Sequence, residues 1–170
     1  MDKIRPCLWF DKDAEEAARF YVSLFPNSRI ESTDRSAADN PSTRKDEVIT
    51  VEFSLDGRSF LALNGGPEFK FSEAISLQID CADQAEVDRY WDALIEGGGE
   101  HSMCGWLKDR FGLSWQVIPR RLPEMLASPD RAAAERAMQA MLGMTKLDLA
   151  QLESAFRGEM TAQEAAGSHP

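Results

Sequence analysis

The chain has 170 residues and a mass of 19.0 kDa, with 43% hydrophobic and 28% charged residues, enough for one compact domain or two small halves but not for two large independent domains. Its 29 acidic and 19 basic side chains give a formal charge of −10 and a pI near 4.7, a surface that repels phosphate backbones and argues against nucleic acid and anionic membrane as partners. Two histidines, His101 and His169, exclude a metal site built from several histidines of one chain.

Cys7, Cys81 and Cys104 form no CxxC pair, and an odd number cannot close fully into internal bridges; a reduced compartment is the simplest expectation. The N-terminal stretch MDKIRPCLWFDKDAEE reaches charge within a dozen residues and contains no apolar h-region. No stretch approaches the ~20 apolar residues needed to span a bilayer. These readings together predict a soluble, cytoplasmic protein.

Along the chain, IRPCLWF (4–10) reads as a strand and DAEEAARFYVSLF (13–25) as an amphipathic helix stopped at Phe25-Pro26-Asn27. Ala17, Phe20, Tyr21 and Leu24 fall at i, i+3, i+4 and i+7, and Asp13 has a glutamate three residues on, the capping-box spacing. Extended runs SRIEST, VITVEFSL and SFLAL follow, with a turn at Asp56-Gly57; the polar stretch 36–47 between the first two reads as a mobile loop. A shift of 70 residues lays this order over itself. AISLQID (74–80) is again a strand, and DQAEVDRYWDALI (83–95) a helix with Asp83 as cap and Gly97-Gly98-Gly99 as its stop. Because those glycines follow a helix rather than open one, they form no phosphate cradle. GEHSMC, WLKD and SWQVI complete the second half. After Pro119, residues 120–157 read as helices with Pro123 and Pro129 near first-turn positions. Met138, Met141, Leu142, Leu149, Leu152 and Phe156 supply their apolar side, and residues 161–170 read as a disordered tail.

Strand alternation then sorts candidate functional residues. In the second half Leu77 and Ile79 pack on the helix, leaving Ser76, Gln78 and Asp80 on the other face with Ser114 and Gln116. Laid over it, the first half assigns Pro6, Leu8 and Phe10 to the helix-free face, opposite Cys7 and Trp9. An apolar cleft with a few convergent polar groups is the usual anatomy of a small-molecule pocket. Phe69 in LNGGPEFKF (63–71) and Trp106 in MCGWLKDRFG (103–112) are placed to close over it. Cys104 lacks an orienting acid and reads as structural; Asp109, with Lys108 and Arg110, reads as a solvated charge cluster. Glu15, Glu16 and Glu86 read as helix-face and capping residues.

The doubled strand-helix-three-strand order, with the segments LWFDKDAEEAARFYVSLFPNSRI, LNGGPEFKF, AISLQIDCADQAEVDRYWDALIEGGGE and CGWLKDRFGLSWQVIP, resembles the PhnB-like branch, often labelled demethylubiquinone methyltransferase-like, of the vicinal oxygen chelate superfamily. That superfamily includes glyoxalase I, extradiol dioxygenases and bleomycin-resistance proteins. The resemblance implies an α+β fold in which two βαβββ modules form a curved, mainly antiparallel sheet, followed by C-terminal helices. The expected organisation is one domain over 1–160, with modules 3–66 and 74–119, a helical appendage 120–157 and the tail beyond. It also implies a homodimer and a ligand held in the concave sheet, against which Leu8, Phe10, Asn64, Phe69, Ser76, Gln78, Trp106 and Gln116 are the expected contacts. In metal-using members the ligands sit on the first and last strand of each module, positions that carry over to Pro6, Ser76, Gln116 and Leu61 or Ala62. None of these side chains is a strong divalent-metal donor, so no metal and no cofactor are expected. No glycine-rich strand-to-helix turn offers a nucleotide-like cofactor a seat.

The leading expectation is a metal-independent binder of a neutral or weakly polar small molecule. The alternatives are an enzyme of the same superfamily, as a metal-dependent lyase or dioxygenase or as a methyltransferase, and an interaction module whose helical C-terminus binds another protein.

Overall fold

The computed structural model describes residues 3–159; the expected tail at 161–170 lies outside the described residues. The chain divides between Phe71 and Ser72 into two compact units. Unit 1 runs β1 (Cys7–Phe10), α1 (Ala14–Leu24), β2 (Arg29–Arg35), β3 (Val48–Leu55) and β4 (Arg58–Asn64). Unit 2 runs β5 (Ser76–Cys81), α2 (Gln84–Ile95), β6 (Glu100–His101), β7 (Trp106–Lys108) and β8 (Ser114–Pro119), then α3 (Arg121–Leu126), α4 (Arg131–Leu142) and α5 (Leu149–Arg157). Each unit holds a four-stranded sheet of the same topology, β1-β4-β3-β2 and β5-β8-β7-β6, in which the first strand pairs parallel with the last and the others pair antiparallel. The expected α+β order, strand-helix-three strands twice followed by helices, is what the chain forms.

Each helix covers one face of its own sheet. In unit 1, Ala14, Ala17, Ala18 and Tyr21 of α1 are buried with Leu8, Phe10, Val51, Phe53, Phe60 and Ala62. Phe53 stacks on Phe60 at 5.4 Å, and Tyr21 lies 6.4 Å from Phe53. Each such ring contributes roughly 2–3 kcal/mol by leaving water. In unit 2, Val87, Tyr90, Trp91 and Leu94 of α2 are buried with Ile79, Leu107, Trp115 and Val117.

The assignment of Leu8 and Phe10 to the helix-free face is therefore corrected: both are buried with α1, and the side chains on the opposite face are Cys7 and Trp9. The cause is one residue. Three residues separate β1 from α1, but two separate β5 from α2. The helices superpose at a shift of 70, whereas the last residues of the strands, Phe10 and Cys81, superpose at 71. A slip of one exchanges the two faces of a strand.

The helix starts differ as well. Asp83 caps α2, accepting from the Glu86 amide at 2.9 Å, while Glu86 reaches back to the Ala82 amide at 2.8 Å. Asp13 makes no such bond. The Ala14 amide donates instead to Asn64 Oδ1 at 2.9 Å, and Asn64 Nδ2 donates to the Val48 carbonyl at 2.9 Å. Asn64 is thus a buried clamp tying α1, β3 and β4. The stretch 36–47 is also more built than its composition suggests: Asn40 Oδ1 accepts from the Ser42 and Thr43 amides, and its Nδ2 donates to Ser36 Oγ and Thr43 Oγ1.

The last three helices form their own apolar cluster, with Leu122, Met125, Ala137, Ala140, Met144, Leu147, Leu152 and Ala155 gathered on Ile118 of β8. α4 turns alanines inward, leaving Met138 and Leu142 exposed, contrary to the expected apolar side; small residues let helices approach closely. Gln84 fastens this layer to α2, donating to the Leu147 carbonyl at 3.1 Å and accepting from the Leu149 amide at 2.7 Å. Lys146 pairs with Asp88 at 2.9 Å. Gly105 is required here, because a Cβ would lie 2.9 Å from both the Leu147 side chain and the Val117 carbonyl, and its φ is +80°.

Replacing Asn64 by alanine strands the Ala14 amide and the Val48 carbonyl. A loss of about 2–3 kcal/mol is expected, read as a lower urea midpoint at unchanged slope; Asp13→Ala is expected to change stability by under about 0.5 kcal/mol.

Candidate functional site

The face of each sheet away from its helix is built from cross-strand rungs. In unit 2 one rung runs Glu100, Lys108, Ser114, Ser76, and the next carries Trp106, Gln116 and Gln78. Four expected contacts thus share the open face: Ser76, Gln78 and Gln116 as strand alternation predicts, and Trp106 from strand β7 rather than from a closing loop. Gln116 Nε2 donates to Ser76 Oγ at 2.9 Å. Beside them lies a cleft of about 160 Å³ lined by Glu73, Glu100, His101, Trp106, Lys108 and Ser114.

Two features of this cleft were not legible beforehand. Glu73, from the segment just before β5, forms an ion pair with Lys108. That pairing, chiefly its hydrogen bond, holds the Glu73 carboxyl below the usual range and raises Lys108, so both stay charged at neutral pH. Ser114 is 1% exposed, and its Oγ has no hydrogen-bond partner among the described residues. A buried hydroxyl without a partner costs free energy that an arriving acceptor or donor recovers.

Asp109 holds the turn that carries Lys108 and Ser114. It is buried rather than solvated, which corrects the surface reading. Its Oδ1 accepts from the Phe111 and Leu113 amides at 2.9 and 3.1 Å, and its Oδ2 from Trp115 Nε1 at 2.8 Å.

In unit 1 the equivalent rungs are Arg29, Ser54, Ser59 and then Glu52, Leu61, Cys7. Arg5 Nη2 donates to Glu52 Oε1 at 2.8 Å, both half-buried. Trp9 lies further along this face, its Nε1 donating to the Gly66 carbonyl at 2.9 Å and its ring meeting Phe69 edge-on at 5.0 Å. A Cβ at Gly65 would collide with the Trp9 ring, so Gly65 makes room for that indole while the next residue, Gly66, supplies the carbonyl that the indole N–H bonds. Phe69 is exposed and rests on this face, whereas Leu8, Phe10 and Asn64 stand on the helix side. Arg5, Cys7, Trp9 and Glu52 are the open-face residues the sequence reading missed; shifting the strands by 71 instead of 70 would have found Cys7 and Trp9.

At the shift of 71 the first-strand position Ser76 lies over Arg5 instead of Pro6, and the neighbouring central rungs pair Cys7 with Leu61 and Gln78 with Gln116. The central rungs then offer one thiol, two neutral amides and a leucine, a donor set that does not fit the divalent ion of metal-using superfamily members. Among the described residues no three His, Cys, Asp or Glu side chains cluster to hold one. The thiols are poor nucleophiles as well. Burial pushes Cys81 up to about 12, with Glu86 and Asp80 adding to the effect, and burial also raises Cys104 and Cys7.

Residues 2–118 match the family model described as 3-demethylubiquinone-9 3-methyltransferase. The chain belongs to this family, the PhnB-like branch of the vicinal oxygen chelate superfamily. A solved Bacillus cereus PhnB protein, itself described as a candidate 3-demethylubiquinone-9 3-methyltransferase, is similar at 33% identity and a TM-score of 0.63, over 69% of this chain and 99% of that one. Protein PA1353 of Pseudomonas aeruginosa is similar in fold at 23% identity and a TM-score of 0.57, over 70% of this chain and 98% of that one. No curated protein matches the chain. The family match ends at residue 118, so α3, α4 and α5 lie beyond it.

Two outcomes follow from this geometry. Asp109→Ala leaves two amides and an indole N–H unpaired, and is expected to cost roughly 3 kcal/mol in denaturant unfolding. Arg5 lowers the Glu52 carboxyl, first through their hydrogen bond and then through charge. The pair's contribution is therefore full above the ordinary value of 4.5 and is lost as pH falls through the lowered one. Carbon-detected NMR titration should place Glu52 below 4.5 and return it towards that value in Arg5→Met; an unchanged midpoint would contradict the pairing.

Proposed function

We propose that the chain binds a small organic molecule, without a metal or cofactor, on the open face of the unit 2 sheet. The contacts are Ser76, Gln78, Trp106 and Gln116, joined by Lys108 and Ser114. The observation that carries the reading is the enclosed, unpartnered Ser114 hydroxyl in a cleft walled by Trp106 and Lys108. An aromatic wall with a few fixed polar groups is how small ligands are held. The Glu73–Lys108 pair at this cleft favours a charged or strongly polar ligand over the neutral or weakly polar one expected from uncharged amides alone. The weak donor set of the central rungs supports metal independence.

Family resemblance supports a homodimer, and both modules with their helical appendage are taken as one functional domain. The acidic charge speaks against nucleic acid, no helix among the described residues is long and apolar enough to cross a membrane, and three free cysteines suit a reducing cytoplasm.

A thermal-shift screen of diverse fragments tests the reading. A true ligand at about 100 times its Kd adds near 2.7 kcal/mol, and Trp106→Ala is expected to abolish the shift. No stabilisation by any fragment, or shifts indifferent to Trp106→Ala, would defeat it. The family description favours one rival, a methyltransferase. Calorimetric binding of S-adenosylmethionine would establish that rival, and stoichiometric divalent metal in the purified protein would establish a metal enzyme.

A further inference from the structure

Unit 1 carries a groove at the place where unit 2 carries its cleft. It measures about 450 Å³ and is lined by Arg5, Arg29, Glu31, Glu52, Ser54 and Ser59, within the ~300–1,000 Å³ usual for ligand pockets. The correspondence is one of register: Ser54 pairs with Ser59 on β4 as Lys108 pairs with Ser114 on β8. Here too a hydroxyl is shut in, for Ser54 is 6% exposed and its Oγ has no hydrogen-bond partner among the described residues.

We infer that this groove is a second binding site, and that it takes a small zwitterion, a molecule carrying an oxyanion at one end and an ammonium at the other. Its charged groups come as two ion pairs, Arg5 with Glu52 at 2.8 Å and Arg29 with Glu31 at 3.0 Å, so the groove is neutral but strongly divided. Arg5 gives Glu52 a hydrogen bond through Nη2, and Arg29 gives Glu31 one through Nε; a guanidinium has five N–H groups, so each retains donors for a second acceptor. A bare anion entering the groove meets two carboxylates, and a bare cation meets two guanidiniums. A molecule with both charges finds an opposite partner for each end and leaves the neutrality intact. The Ser54 hydroxyl then gains the acceptor it lacks. Its lining shares no residue with the unit 2 cleft.

Three probes of similar length separate the possibilities: γ-aminobutyrate, butyrate and butylamine, titrated into nitrogen-15-labelled full-length protein. The inference expects saturable shifts of the Arg29, Ser54 and Ser59 amides, with γ-aminobutyrate binding about tenfold tighter than either singly charged probe. Arg29→Met, at an exposed rim position, should erase that preference. Ser54→Ala removes a hydroxyl that has no partner to lose, so the variant should stay folded while its affinity for γ-aminobutyrate falls severalfold. Equal binding of butyrate or butylamine overturns the zwitterion assignment. Absence of saturable binding by all three probes, or unchanged affinity in both variants, overturns the site.

Discussion

Successive side chains of a strand point to opposite faces, and each sheet here has one helix, α1 or α2, to cover one of them. Everything about the candidate sites follows from that. The covered face takes the aromatic and aliphatic side chains, Phe10, Phe53 and Phe60 in unit 1 and Ile79, Trp115 and Val117 in unit 2. The other face carries polar and charged side chains beside Cys7, Trp9, Leu61 and Trp106, arranged in rungs that bring residues distant in sequence to one level. Lys108, Ser114 and Ser76 meet in this way, as do Ser54 and Ser59.

The duplicated framework has been used twice with different chemistry. Where unit 1 places Glu52, Leu61 and Cys7, unit 2 places Trp106, Gln116 and Gln78. A strong metal-binding rung has been kept in neither, while each retains a recess with a hydroxyl sealed from its surroundings. The helices beyond the family match are pinned through Gln84, Lys146 and Gly105, and they gather on Ile118. Ile118 lies two residues beyond Gln116 on β8 and shares its parity.

The parts of the fold legible in the sequence were those decided locally. The helix at 84–95 announces itself through Asp83, Glu86 and the spacing of Val87, Tyr90, Trp91 and Leu94, and the open-face role of Ser76 and Gln116 follows from alternation within one strand. What failed was decided at a distance or by a single count. Leu8 and Phe10 were turned over because one extra residue between β1 and α1 shifts the strand but not the helix. Asn64 is a helix clamp because folding brings it to Ala14, fifty positions away. Asp109 sits among charged neighbours in sequence, yet its partners are amides and an indole nitrogen reached only when the turn closes. Glu73 carries no mark of its pairing with Lys108.

The central claim is that small molecules settle on the uncovered side of the second sheet. The most direct measurement is an NMR fragment titration that follows the Trp106 indole N–H, the side-chain amides of Gln78 and Gln116, and the methyl groups of Leu8. The account predicts that bound fragments move the indole and amide signals together while Leu8 stays still. Fragments that move Leu8 and leave Trp106 and Gln116 unmoved would contradict it.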